Sequence, residues 1–193
     1  MVTAAAELAD AAGFDRLSLA ALAARLGVRL PSLYKHIDSL DGLRRDVAVL
    51  GVTELGAAMS AAAIGRAGSD ALRAVANAYR DYGRTHPGRY AATVRAPAVD
   101  DAEHTAAAET VLRIVLAVLA GYGLTGHDAI DATRALRATL HGFVALEAGG
   151  GFGMPVDVDR SYTRLVDGFD ATLHHWADTD QLSPTTSLER TPR

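Results

Sequence analysis

Ser32, Tyr34, Lys35 and His36 fall within five consecutive positions. Their hydroxyl, ammonium and imidazole groups are the types that donate hydrogen bonds to phosphate oxygens and reach the edges of bases. Lys35 is the chain's one lysine; every other basic residue is an arginine. Leu33 and Ile37, four apart in the same stretch, suit a core, which turns the four polar side chains outward. Such chemistry needs a short segment that projects past its neighbour, so that one face can lie in a DNA groove.

The surrounding residues read as the elements that would hold it there. Residues 2–12 (VTAAAELADAA) form a first helix stopped by Gly13. Phe14 and Leu17 supply core contacts in the connection, and Ser18 is placed to cap a second helix. Leu19, Leu22, Ala23 and Leu26 recur at helical spacing, Gly27 ends the run, and Val28 plugs the turn. Pro31 sits where a first-turn proline is tolerated, opening a short third helix. Asp38 or Ser39 then caps a fourth, over about 40–63. A helix, a glycine turn and a second short helix make the helix-turn-helix geometry.

Charge is distributed unevenly along the chain. Between residues 16 and 45, Arg16, Arg25, Arg29, Lys35, Arg44 and Arg45 face only Asp38 and Asp41, in a chain of net charge −4. A small basic segment on an acidic body suits a protein that touches phosphate with one end.

The 193-residue chain as a whole is alanine-rich, poor in β-branched and aromatic runs, and reads as all-α. A fifth helix capped by Ser69 or Asp70 runs to His86-Pro87-Gly88, and a short one passes through Tyr90 and Val94. Helices over about 101–122 and 127–147 follow, then a break at GGGFGMPVD and a last helix over about 158–177. About nine helices in two packing units are expected: a three-helix helix-turn-helix domain (1–50), a helical bundle (51–178), and a disordered tail (179–193). Tyr79, Tyr82, Tyr90 and Phe143 either line an apolar ligand pocket or are ordinary core. The stripe from Tyr162 to Trp176 is broad enough to suggest a two-fold homodimer.

Absent cysteine removes disulfides and thiolate metal sites. His174 and His175 are adjacent and cannot share one metal from a helix, and no nucleophile-elbow motif occurs. No enzyme activity, cofactor or metal is expected. The opening residues do not resemble a signal peptide, and the most apolar stretch, 111–124, is too short to span a bilayer, so no membrane partner and a cytoplasmic location are expected.

AAAELADAAGFDRLSLAALAARLGVRLPSLYKHIDSLDGL, with its LGV turn and PSLYKHI helix, resembles the DNA-binding domain of the tetracycline-repressor (TetR) family of bacterial transcription factors. HGFVALEAGGGFGMPVDVDRSYTRLVDGF (141–169) looks like the C-terminal segment of its WHG-type subgroup, and THPGRY (85–90) recurs in family ligand domains. The resemblance implies that Ser18 contacts a phosphate. It further implies that Arg29 to His36 form the recognition turn and helix: Leu30, Pro31 and Ser32 nearest the bases, Tyr34 and His36 on the backbone, and Lys35 on phosphate or a base edge.

By the same resemblance the body is a bundle with a pocket for a small apolar effector. Its last two long helices pair with a mate, which puts Leu136, Leu140, Leu165, Phe169, Leu173 and Trp176 at a dimer interface. The function implied is a ligand-responsive regulator, a repressor released from a pseudo-palindromic operator. The alternative is a ligand- or protein-binding helical protein whose DNA binding is weakened or lost. Three departures from the family pattern bear on this, and the first and last of them motivate the alternative. Residues 1–2 carry no basic arm, Ala20 and Ala21 stand where a cation is common, and Leu40 replaces a frequent lysine. Weaker binding with a shallow salt dependence is therefore expected, offset in part by Arg44 and Arg45.

Overall fold

The computed structural model describes residues 1–176. Among them are nine α-helices and no strand: α1 (Val2–Ala12), α2 (Leu19–Leu26), α3 (Leu30–Leu33), α4 (Leu40–Ala63), α5 (Gly68–Thr85), α6 (Pro87–Ala92), α7 (Ala102–Ala120), α8 (Gly126–Ala148) and α9 (Val158–His174). A 3-10 turn, Phe14–Arg16, joins α1 to α2. The expected tail, 179–193, lies outside the described residues.

Local chemistry sets most of these boundaries. The Ala21 N–H donates to the Ser18 hydroxyl at 3.2 Å, and the Gly42 N–H donates to Ser39 at 2.9 Å, so serines cap α2 and α4. Gly27 closes α2 in the left-handed region, φ 67°, with its N–H turned back to the Ala23 and Ala24 carbonyls. The start of α5 differs from expectation. Ala67 occupies the cap position, because the Ser69 hydroxyl is directed at His174 Nε2, 3.4 Å away on α9.

Two apolar cores are stacked along one long helix. Ala5, Ala6, Leu17, Leu22, Leu33 and Ile37 pack on the first part of α4, through Leu43, Val47 and Ala48. Leu72, Val75, Leu119, Leu136, Tyr162 and Leu173 form a second core, to which the second part of α4 contributes Leu55 and Met59. Each fully buried leucine contributes roughly 1.5–3 kcal/mol against exposure. α4 is long and apolar enough to cross a membrane by length and composition, yet it lies at the centre of the molecule, against α1, α5, α6 and α7.

One short element ignores the order of the sequence. α6 follows the body's first helix but packs on α1 and α4, and its Ala92 is fully buried in the N-terminal core. Helical periodicity alone gives no signal for that crossing.

Candidate nucleic-acid interface and ligand cavity

The N-terminal unit, here called the head, presents α3 as expected in orientation but shorter in extent. Leu33 and Ile37 are buried, at 2% and 8% exposure, and fix the segment to the head. Arg29, Leu30, Pro31, Ser32, Tyr34, Lys35 and His36 all face solvent, with Tyr34 56% exposed. The sequence suggests a helix running to Ile37, whereas the helix ends at Leu33. The Leu33 carbonyl accepts from both the His36 and Ile37 N–H groups, which tightens the chain into turns and carries Ile37 inward ahead of the α4 cap. Ser18 is half-buried, and its hydroxyl oxygen holds the Ala21 N–H. Its own O–H is left to donate outward, as a phosphate contact requires.

The basic cluster divides into two kinds of residue. Arg25 pairs with Glu7 at 2.6 Å, and Arg44 donates to the Asp15 carbonyl at 3.2 Å. Arg45 donates to both Asp101 oxygens at 2.7 and 2.5 Å, to Glu103 at 2.8 Å and to Asp46 at 2.9 Å. That pairing holds the Asp101 carboxyl well below the usual range. Arg45 therefore does not offset the cations missing from Ala20, Ala21 and Leu40; it ties α4 to the start of α7. Among the described residues, Arg16, Arg29 and Lys35 are the cations of the 16–45 segment with no acidic or carbonyl partner.

A polar junction joins head to body. Asp10, at the end of α1, accepts from the Gly88 N–H at 3.0 Å and the Arg89 N–H at 2.9 Å, capping α6 from another helix. The Arg89 guanidinium also sits 3.0 Å from Asp10 by its Nε, although the N–H is not aligned for a hydrogen bond, and donates to Glu54 on α4 at 3.1 Å. The Tyr82 hydroxyl donates to the same Glu54 at 3.0 Å. At Gly88 a Cβ would overlap the Ala9 carbonyl, so the close approach of α6 to α1 requires glycine.

Inside the body is a cavity of about 460 Å³ between α4, α5, α7 and α8. Its walls are largely apolar, with Val52, Leu55, Met59, Val111 and Leu112 among them, and its polar tips are Tyr79, Thr93, Thr133, Arg134, Arg137 and His141. Of the four aromatic residues singled out from the sequence, only Tyr79 lines it. Tyr82 is turned to Glu54 at the junction. Tyr90 stands behind the wall, donating to the Tyr79 hydroxyl at 3.1 Å and 2.7 Å from His141 Nδ1. Phe143 faces the other side of α8, stacked with Tyr162, Phe152 and the Arg80 guanidinium. Arg137 and His141 were not anticipated. Their signal was a cation and an imidazole four apart on a helix face that also carries Leu136 and Leu140.

The residues expected at a dimer interface split in the same way. Leu136, Leu140 and Leu173 are buried in the chain's own core, with 4% exposure or less, and have no surface to offer a mate. Leu165, Phe169 and Trp176 are only partly covered and pack at the edge of that core. Any contact between copies through α8 and α9 must use their outer faces.

Comparison with known proteins agrees with this geometry. Residues 2–47 match bacterial regulatory proteins of the tetR family, and residues 72–169 match the tetracyclin repressor-like C-terminal domain. The chain is 42% identical over 158 residues to the uncharacterized HTH-type transcriptional regulator Rv0681 of Mycobacterium tuberculosis, covering 81% of this chain and 72% of that one. It is 38% identical over 162 residues to the uncharacterized HTH-type transcriptional regulator YobS of Bacillus subtilis, covering 83% and 84%. A solved protein of unknown function from Rhodococcus sp. RHA1 superposes with a TM-score of 0.74 at 25% identity, over 90% of this chain and 93% of that one. A helix-turn-helix head on an all-helical body, matched along both parts, makes this chain a member of the TetR family of DNA-binding transcriptional regulators, which are not enzymes.

Proposed function

We propose that the protein is a homodimeric repressor that grips a pseudo-palindromic operator with two copies of the α3 face and is released by a small effector in the body cavity. The observation that carries the reading is the exposure of Arg29 to Ser32 and Tyr34 to His36 on a segment pinned by Leu33 and Ile37. Leu30 and Pro31 suit contact with thymine methyls, and Ser32 can serve either a base edge or a phosphate. Tyr34, Lys35, His36 and Ser18 supply donors to the backbone. This exposed and pinned arrangement favours retained DNA binding over the decayed alternative.

Two heads about one DNA turn apart (~34 Å) would engage successive major grooves. With three unpartnered cations per head, the log–log salt slope of a two-headed complex should be no steeper than about −5. The junction through Asp10, Arg89 and Glu54 is the route by which a change in the cavity would reach head spacing, since α6 touches both units. Domain limits follow the two cores, with the exchange inside α4 near residue 50, and the outer faces of α8 and α9 carry the mate.

Coupling between sites is reciprocal, so operator DNA must weaken effector binding by the factor with which effector weakens operator binding. The test is to select binding sites from a random DNA pool, then titrate a bound small molecule with and without that DNA. Equal affinities in the two titrations would rule out release by effector.

A further inference from the structure

The cavity's polar end differs in kind from its apolar walls. Tyr79 is 8% exposed and accepts a hydrogen bond from Tyr90, while its own O–H meets no acceptor among the described residues. Behind it His141 Nδ1 lies 2.7 Å from the Tyr90 hydroxyl. An N–H there completes a chain of donors, His141 to Tyr90 to Tyr79, whose free end faces the cavity. Burial pushes the Tyr79 phenol up, so it stays a donor at neutral pH.

Arg137 borders the same space. Its neighbour Arg134 pairs with Asp131 at 3.2 Å, but Arg137 has no carboxylate partner among the described residues, although most arginines of the body have one. Its field reaches both Tyr79 and Tyr90. An unpaired guanidinium and a free phenolic donor beside an apolar chamber make a site for one anionic group on an apolar body.

We propose that the cavity selects amphiphilic carboxylates: the carboxylate lies between Arg137 and the Tyr79 O–H, and the hydrocarbon fills the chamber against Leu55, Met59 and Val111. This rests on reading the cavity as the effector site and adds the chemical class of the effector. A neutral ligand of the same shape lacks the charge-assisted hydrogen bonds, and the exposed Arg137 guanidinium then keeps its water.

The test uses the full chain and two probes, decanoate and 1-decanol, with binding followed by calorimetry. Decanoate should bind about tenfold or more tightly than decanol. Arg137→Gln should abolish that preference, Arg137→Lys should restore part of it, and Arg164→Gln, on α9 and outside the cavity lining, should leave it intact. Tyr79→Phe should weaken decanoate and spare decanol. Equal binding of the two probes by the unaltered protein, binding of neither, or a preference that survives Arg137→Gln would each overturn the inference. Operator affinity, measured in parallel, separates it from the parent reading. If decanoate binds through Arg137 and leaves operator affinity unmoved, release by effector falls and anion selection stands. If both probes release DNA alike, the reverse holds.

Discussion

In the head, Arg16, Arg29 and Lys35 have no partner among the described residues, whereas in the body Arg73, Arg80 and Arg89 are each tied to carboxylates on other helices. Arg80 is the extreme case. It is 6% exposed, donates twice to Glu147 at 2.8 and 2.6 Å, lies 2.7 Å from Asp159, and stacks on Tyr162. An arginine in such a clamp fixes the angle between helices and is closed to any other anion. A cation left outside adds nothing to the fold, yet it displaces counterions when phosphate arrives. Basic side chains therefore serve architecture in the body and, on the proposed reading, recognition in the head, and Arg45, encoded in the head's basic cluster, belongs to the first group.

The largest test of that contrast is Arg80→Ala. Removing the guanidinium strands Glu147 and Asp159 without their partner, and a loss of about 3–5 kcal/mol in urea unfolding is expected. Arg29→Ala should cost well under 1 kcal/mol in the same assay, because solvated surface positions rarely matter more. If the two variants unfold alike, the division between clamps and free cations is wrong.

Gly88→Ala comes next. Its added methyl must drive α6 away from the α1 backbone, at about 1–3 kcal/mol. Operator affinity should fall with it although Gly88 lies on α6 and not on the proposed DNA face, since the Asp10 cap positions head against body. A variant that is destabilised but binds operator normally would show that the junction does not set head geometry.

Lys35→Ala should change the salt slope of operator binding by about 1 per head while leaving melting unchanged. Arg45→Ala should do the converse, lowering stability and sparing the slope. The smallest effect concerns His104, which is buried with Nε2 unpartnered and whose pKa burial pushes below the ordinary histidine value. The folded protein then binds fewer protons than the unfolded chain between that depressed value and about 6.5. Stability should be complete above about pH 6.5 and decline as pH falls through this window, by at most about 1.4 kcal/mol per pH unit. Melting curves of the chain and of His104→Leu should converge in slope only if this group is responsible.

Much of the head was legible because its signals are local. Ser18 and Ser39 cap through their own sequence neighbours, Gly27 closes α2 by its own φ, and Leu33 and Ile37 declare their face by spacing alone. The body's contacts are long-range, and spacing does not encode them. Tyr82, Tyr90 and Phe143 look equivalent to Tyr79 as aromatic residues on apolar helix faces, but only packing decides which faces the cavity. Leu136, Leu140 and Leu173 read as a seam because a single helix cannot say whether its apolar face meets its own chain or a mate. Glu147 has no partner within its own helix; Arg80, its actual partner, is 67 residues away.

The central claim is that the turn and helix around Tyr34 and Lys35 lie in the major groove, once in each of two heads. Hydroxyl-radical footprinting on a selected operator tests it directly, comparing the unaltered protein with a Tyr34→Ala/Lys35→Ala variant of matched melting temperature. Two protected patches about one helical turn apart (~34 Å), lost together in the variant, are the predicted result. A single patch, or protection that survives in the variant, would contradict the account.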